Sequence, residues 1–208
     1  MKTKFLHIAT ALLFAGFTSS CSDFLDRYPL DELSDSSFWK TENDAMMAVT
    51  DIYGCLPTWD QDEDINSDNA VHGIKWAAGN ISKGIYDPMD QSWAGSYTPI
   101  RQCNLVLEKV KDIEMSDESR KKIEGQAYFF RAFVYFNLIR SFGDVPYIDK
   151  PLNLTDVEDI TRTPREEVYA KVMADFDKAI EYLPEEWDAA NTPRVTKGAA
   201  LAMKARAA

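Results

Sequence analysis

Gln126-Ala-Tyr-Phe-Phe-Arg-Ala-Phe-Val-Tyr135 lies at the centre of the longest predicted helix, which Ser116 opens and Gly143 ends. At helical spacing this region carries two apolar stripes: Ile123, Ala127, Phe130, Val134 and Leu138 in one, and Tyr128, Ala132, Tyr135, Ile139 and Phe142 in the other. A helix with two apolar faces needs neighbours on two sides. The sequence therefore predicts a stacked helical repeat.

Helix-starting signals lie on both sides of this central stretch. Thr41 with Asp44 predicts a capping box, and so does Thr163-Pro-Arg-Glu166. Thr98-Pro99 predicts an N-cap followed by a first-turn proline, and Thr196 precedes a last helix that is still running where the sequence stops. We therefore expect residues 21–208 to form the front part of a longer protein.

One later helix carries the spacing of a tetratricopeptide unit. Phe176, Ala179 and Pro184 stand where the second helix of such a repeat has an aromatic residue, a small residue and a terminating proline. In contrast, helical spacing disappears between Leu56 and Pro99, where five tryptophans or tyrosines lie among glycines, prolines and aspartates. The predicted fold is mainly α, a tetratricopeptide-like scaffold with long irregular loops.

The N-terminus has the pattern of a bacterial lipoprotein signal. Lys2 and Lys4 precede an apolar run that is too short to span a bilayer, and small polar residues lead to Cys21. We expect residues 1–20 to be removed and Cys21 to carry the lipid that anchors the chain. The alternative is an ordinary secretory signal cut near Ser19 or Ser20.

Composition excludes several classes of function. The chain of 208 residues has a formal net charge of -11, whereas a nucleic-acid binder needs a basic surface. His72 is the single histidine after the signal, which leaves little for a catalytic triad or a zinc site. We predict no catalytic residues, metal site or cofactor. Two questions stay open: a loose calcium site at Asp60–Asp68, where Ile65 replaces the usual glycine, and a disulfide between Cys55 and Cys103.

Six blocks in the sequence resemble, in their order along the chain, the SusD/RagB family of nutrient-uptake outer-membrane lipoproteins. They are Cys21–Pro29, Phe38–Glu42, Tyr97–Asn104, Gln126–Tyr135, Phe142–Pro146 and Ala199–Arg206. The resemblance implies a cell-surface protein, lipid-anchored in the outer membrane, that captures an oligosaccharide or peptide. It also implies delivery of that nutrient to a SusC-type TonB-dependent transporter, without catalysis.

The candidate ligand residues are Trp76 and Asn80. They lie in the segment where the starch-binding family member carries its aromatic platform, so this assignment follows from the resemblance. The residue types suit the task, because sugars stack their C–H faces on aromatic rings and bond their hydroxyls to amides and carboxylates. We expect Trp93 and Tyr97 to pack in the core, and Trp59 and Trp187 to be exposed. The alternative function is a lipid-anchored helical-repeat adaptor that binds a protein partner.

Overall fold

The computed structural model describes residues 38–57, 93–153, 156 and 160–208. Within these ranges it contains no strand, one isolated bridge between Val145 and Thr163, and a short 3-10 helix at Tyr53–Cys55. The α-helices are α1 (Glu42–Ile52), α2 (Trp93–Lys109), α3 (Asp117–Phe142), α4 (Arg165–Tyr182) and α5 (Lys197–Ala207). The prediction of a mainly α fold is confirmed.

Helix α3 is the centre of the packing and contacts each of the other four helices. All five residues of its first predicted stripe are buried. In the second stripe Ala132, Tyr135 and Ile139 are buried, while Tyr128 and Phe142 are half-buried against the same core. The two-sided pattern in the sequence therefore corresponds to a helix covered on two sides.

Three predicted helix starts, at Thr41, Ser116 and Thr196, are confirmed by their capping bonds. The Asp44 N–H donates to Thr41 Oγ1 at 3.3 Å, and the Thr41 N–H donates to Asp44 Oδ2 at 2.7 Å. These bonds form the capping box that begins α1. At α3 the Ser119 N–H donates to Ser116 Oγ at 3.1 Å. Gly143, at φ 70°, ends α3 in a backbone conformation that favours glycine.

The prediction that Thr98-Pro99 begins a helix is wrong. Helix α2 begins at Trp93 and Pro99 lies inside it. The extra turns are held by tertiary contacts, because the Trp93 ring packs edge-on against Phe142 with centroids 4.8 Å apart. Proline removes one helical hydrogen bond at this point, and the packing of the preceding turns offsets that loss.

The predicted capping box at Thr163 is also wrong. The N-cap of α4 is Pro164, which makes no side-chain capping bond. Thr163 instead pairs with Val145 through two backbone hydrogen bonds of 3.0 and 3.3 Å. The cap comes from elsewhere in the chain, since Asp144 Oδ1 accepts the Arg165 N–H at 2.9 Å.

Helices α3 and α4 approach closely at Gly125. A Cβ atom placed on Gly125 would lie 3.0 Å from Tyr182 Cβ and 3.1 Å from Leu183 Cγ. Glycine is therefore required by the space between the helices, while its backbone is ordinary helix. Nearby, the expectation that Trp187 is exposed is wrong, because its ring is half-buried and its Nε1–H donates to the Val195 carbonyl at 2.8 Å.

Among the helices that the structure describes, none combines the length and the apolar composition that crossing a bilayer requires.

Candidate functional site

Most residues singled out for function lie outside the described residues. These are the anchor Cys21, the ligand candidates Trp76 and Asn80, the aromatic Trp59 and the acidic run Asp60–Asp68. Their roles stay predictions. What the structure does describe is the framework from which the segment 58–92 starts and to which it returns.

One cleft of about 470 Å³ is lined by Cys55, two residues before Pro57, and by Gly95, two residues after Trp93. Its lining comes from the last residues of α1 and the 3-10 helix, from the first turns of α2, and from the middle of α3, with Phe133, Asn137 and Gln102 among them. The Gln102 amide donates to the Asp51 carboxylate across it. The departure and return points of the segment are thus fixed by three helices.

Trp93 and Tyr97 pack where the segment rejoins the scaffold. The Tyr97 hydroxyl donates to the Pro146 carbonyl at 3.1 Å, and the Arg162 guanidinium lies 5.1 Å from the centre of the Trp93 ring. Burial raises the pKa of Tyr97 to about 12, so its hydroxyl remains a donor at neutral pH. The expectation that both side chains pack in the core is confirmed.

Cys55 and Cys103 are both free thiols in the structure. Cys103 is fully buried, and Cys55 is half-buried at the edge of the cleft beside segment 58–92. Burial raises the pKa of Cys55 to about 11 and also raises the pKa of Cys103. Both thiols are therefore protonated and weakly nucleophilic at neutral pH.

A buried charge network joins α2, α3 and α4. The Arg131 guanidinium donates from Nε to Asp175 Oδ2 at 2.7 Å and from Nη2 to Asp175 Oδ1 at 2.8 Å, a two-point ion pair. Its Nη1 donates to Asn104 Oδ1 at 2.8 Å. Burial alone would lower the pKa of Arg131, but the hydrogen bonds and charge of Asp175 raise it above its ordinary value. Burial raises the pKa of the Asp175 carboxyl, and its hydrogen bonds to Arg131 oppose that rise. The short two-point geometry is that of an ionised guanidinium–carboxylate pair.

The same network holds the chain that follows α3. Asn104 Nδ2 donates to the Ile148 carbonyl at 2.9 Å. The Tyr135 hydroxyl accepts the Ile148 N–H at 2.7 Å and donates to the Ile148 carbonyl at 3.1 Å. Residues 145–151 therefore lie as a strap across α2 and α3, with both backbone polar groups of Ile148 hydrogen-bonded to buried side chains.

Sequence reasoning did not identify this network. A usable signal was present, because Arg131 stands between apolar residues of the two stripes and Asp175 directly precedes the core residue Phe176. Charged residues on an apolar face are rarely buried unless they are paired. What the pattern could not give was the partner, since Arg131 and Asp175 are 44 residues apart.

No group of three or more histidine, cysteine, aspartate or glutamate side chains suited to a metal ion occurs among the residues described.

Residues 23–208 match a family model of the SusD-like type. The model is described as "Starch-binding associating with outer membrane". Among curated proteins, SusD-like protein P2 of Formosa agariphila is 30% identical over 97% of this chain and 42% of its own length. A SusD-like protein of Bacteroides ovatus is 26% identical over 90% of this chain and 36% of its own length. The chain thus spans less than half the length of these relatives.

Solved structures agree in fold. A crystal structure of a SusD-like protein from Bacteroides fragilis has a TM-score of 0.74 at 26% identity, covering 87% of this chain and 37% of that one. A second structure from that organism, described as a SusD-like carbohydrate binding protein, has a TM-score of 0.68 at 25% identity, covering 82% and 37%. The tetratricopeptide-like helical architecture of this fold is the one predicted from the sequence.

Proposed function

Because the chain belongs to the SusD-like family, we propose that it is part of a surface lipoprotein that captures an oligosaccharide or peptide nutrient and passes it to a SusC-type TonB-dependent transporter. The observation that carries this proposal is the family match over residues 23–208, which includes every described helix. The proposal places the protein in the outer membrane, held by a lipid on Cys21 and facing the cell exterior.

Binding rather than catalysis is the task proposed. The family model is described as starch-binding, and the similar structure from Bacteroides fragilis as carbohydrate binding. Neither description names a reaction. A protein that hands its ligand on unchanged needs moderate affinity and fast release, which surface aromatic and polar groups provide without a reactive centre.

The scaffold supports a role for the segment that contains Trp76 and Asn80. The described chain stops at Pro57, just after the 3-10 helix that follows α1, and resumes at Trp93, the first residue of α2; α1 and α2 pack against each other and against α3. A binding segment fixed at both ends loses less conformational entropy when a ligand orders it. We propose that Trp76 provides a ring for a sugar face and Asn80 provides hydrogen bonds to hydroxyls.

Calorimetric titration of the intact protein against neutral oligosaccharides and short peptides tests this function. We expect saturable binding of one ligand class. Trp76→Ala should weaken that binding at least about tenfold, which corresponds to the loss of one stacking contact with an aromatic ring. Trp59→Ala is the control from the same segment and should leave the affinity within about twofold. No binding to any saccharide or peptide would overturn the proposal and favour the protein-binding adaptor.

A further inference from the structure

A second cleft, separate from the one beside segment 58–92, lies over the Arg131–Asp175 pair. It has a volume of about 380 Å³, opens to solvent and is lined by residues of α2, α3, α4 and the strap 145–151, together with Lys111 just after α2. Ligand pockets in proteins commonly measure about 300–1,000 Å³, so this cleft has room for one or two sugar rings. We call it the lysine cleft after three of its lining residues, Lys111, Lys150 and Lys171.

The charge of the lysine cleft differs from that of the chain. The whole chain has a net charge of -11. Within the lining, Arg131 and Asp175 neutralise each other, which leaves three lysines against two carboxylates, Glu108 and Asp149. The cleft is therefore a slightly cationic site in a strongly acidic protein, and it attracts anions that the rest of the surface repels.

The three lysines are available for a ligand. All three side chains are exposed. None of them forms an ion pair with a carboxylate of the described residues. The cations that do form ion pairs there are Lys122, Arg131, Lys178, Lys197 and Lys204. Lys171 Nζ lies 5.9 Å from the centre of the Tyr147 ring, which lines the same cleft.

The remaining walls suit a sugar ring. Tyr128 and Tyr147 are half-buried and line the cleft, and the Arg131 guanidinium lies 5.4 Å from the centre of the Tyr128 ring. Aromatic rings pack against the C–H faces of sugars, while Glu108 and Asp149 can accept hydrogen bonds from hydroxyls. Aromatic walls, acceptors and ammonium groups within one cleft match the three chemical features of an acidic saccharide.

We propose that the lysine cleft binds an acidic saccharide, with Lys111 and Lys171 holding its carboxylate or sulfate group. This site would act in addition to the one proposed at Trp76 and would select anionic glycans. The inference rests on the proposed function only in taking the ligand to be a saccharide. A carboxylate and a sulfate carry the same negative charge, and the experiment below tells which of the two groups the cleft binds.

The test is calorimetric titration of the intact protein at low salt with three probes. They are a uronic-acid oligosaccharide, a sulfated galactan oligosaccharide and the same galactan without sulfate. We expect saturable binding of at least one acidic probe, weakened at least about tenfold in Lys111→Gln/Lys171→Gln, because two charge-assisted contacts are removed. Lys40→Gln, an exposed lysine outside the cleft, is the matched control and should keep the wild-type affinity.

The salt dependence gives an independent readout, since raising ionic strength should weaken the acidic probe in the wild type more than in the double variant. Equal affinity of the double variant and the wild type for the acidic probe would overturn the proposal. So would failure of both acidic probes to bind while a neutral oligosaccharide binds, an outcome that leaves the proposed function standing. Failure of every saccharide, neutral and acidic, would overturn the acidic-saccharide proposal, and the proposed function would fall with it only if short peptides also failed to bind.

Discussion

Arg131 is the residue on which three helices depend. Its guanidinium contacts Asp175 on α4 and Asn104 on α2, and Asn104 in turn holds the strap. The side chains of Arg131 and Asp175 are only 8% and 9% exposed, so water can replace little of what the pair supplies. Removing one partner leaves a buried charge without compensation, which is far more costly than removing an exposed pair.

The first prediction concerns this pair. Asp175→Asn should lower the free energy of unfolding by about 3–5 kcal/mol, because Arg131 remains buried without a counter-charge. Urea unfolding followed by circular dichroism measures the change. The matched control is Asp177→Asn, whose side chain is 61% exposed and pairs with Lys204, and it should cost less than about 1 kcal/mol. Equal losses for the two variants would contradict the structure here.

The second prediction concerns the two thiols. At pH 8 a thiol with a pKa of about 11 is roughly one part in a thousand thiolate, so iodoacetamide should modify Cys55 slowly in the native protein and faster as the pH rises toward 11. Unfolding in urea without a reductant should make Cys55 and Cys103 both reactive. Mass spectrometry of the peptides reads out each site. Modification that requires a reductant would mean that the two cysteines form a disulfide.

At the scale of the element, helices α3 and α4 approach closely at Gly125. Alanine normally stabilises a helix interior relative to glycine by roughly 0.5–1 kcal/mol. At this position its methyl group would lie 3.0 Å from Tyr182 Cβ and 3.2 Å from the Leu183 backbone nitrogen, which is closer than ordinary van der Waals contact. Neither atom can move without moving the backbone at the end of α4. Helices α3 and α4 would have to move apart.

The third prediction follows from this contact. Gly125→Ala should destabilise the protein by about 1–3 kcal/mol, the usual cost of overpacking. Gly198→Ala in the first turn of α5 is the control, because the nearest atom to its added methyl group, Thr196 Oγ1, is 3.7 Å away. That variant should be neutral or stabilising by up to about 1 kcal/mol. Thermal unfolding of the two variants side by side measures the difference. A Gly125→Ala variant that is as stable as the wild type or more stable would contradict the close contact.

The starts of the helices differ in whether the local sequence could predict them. The Thr41 capping box and the Ser116 cap were predictable, because each is formed within four residues of chain. The starts of α2 and α4 were not, since distant residues decide them: Phe142 packs on Trp93, and Asp144 caps Arg165. Local signals at Thr98 and Thr163 were overridden by tertiary contacts.

The candidate site follows the same division. Periodicity identified the scaffold because apolar spacing reflects burial, and the buried stripes of α3 agree with it. Between residues 58 and 92 there is no such spacing, so Trp76 and Asn80 rest on the resemblance and on the chemistry of their side chains. The Arg131–Asp175 pair was missed because no local rule relates residues on different helices.

At the scale of the whole molecule, the lipid anchor proposed at Cys21 gives the fourth prediction. Cells grown with labelled palmitate should label the wild-type protein and not the Cys21→Ala variant, which should lose its attachment to the membrane. Cys55→Ala, which alters a cysteine of the folded scaffold, should retain both the label and the attachment. Labelling of Cys21→Ala at the wild-type level would contradict the prediction, because it would mean that Cys21 is not the residue that carries the lipid.

The central claim is that this scaffold displays a saccharide site outside the cell. The most direct measurement is binding of a fluorescent oligosaccharide, chosen by the titrations, to intact cells before and after external protease treatment. Cells that produce the protein should bind the glycan, and protease should remove the polypeptide and the binding together. Binding that persists after the protein has been deleted, or a polypeptide that intact cells protect from protease, would contradict the claim.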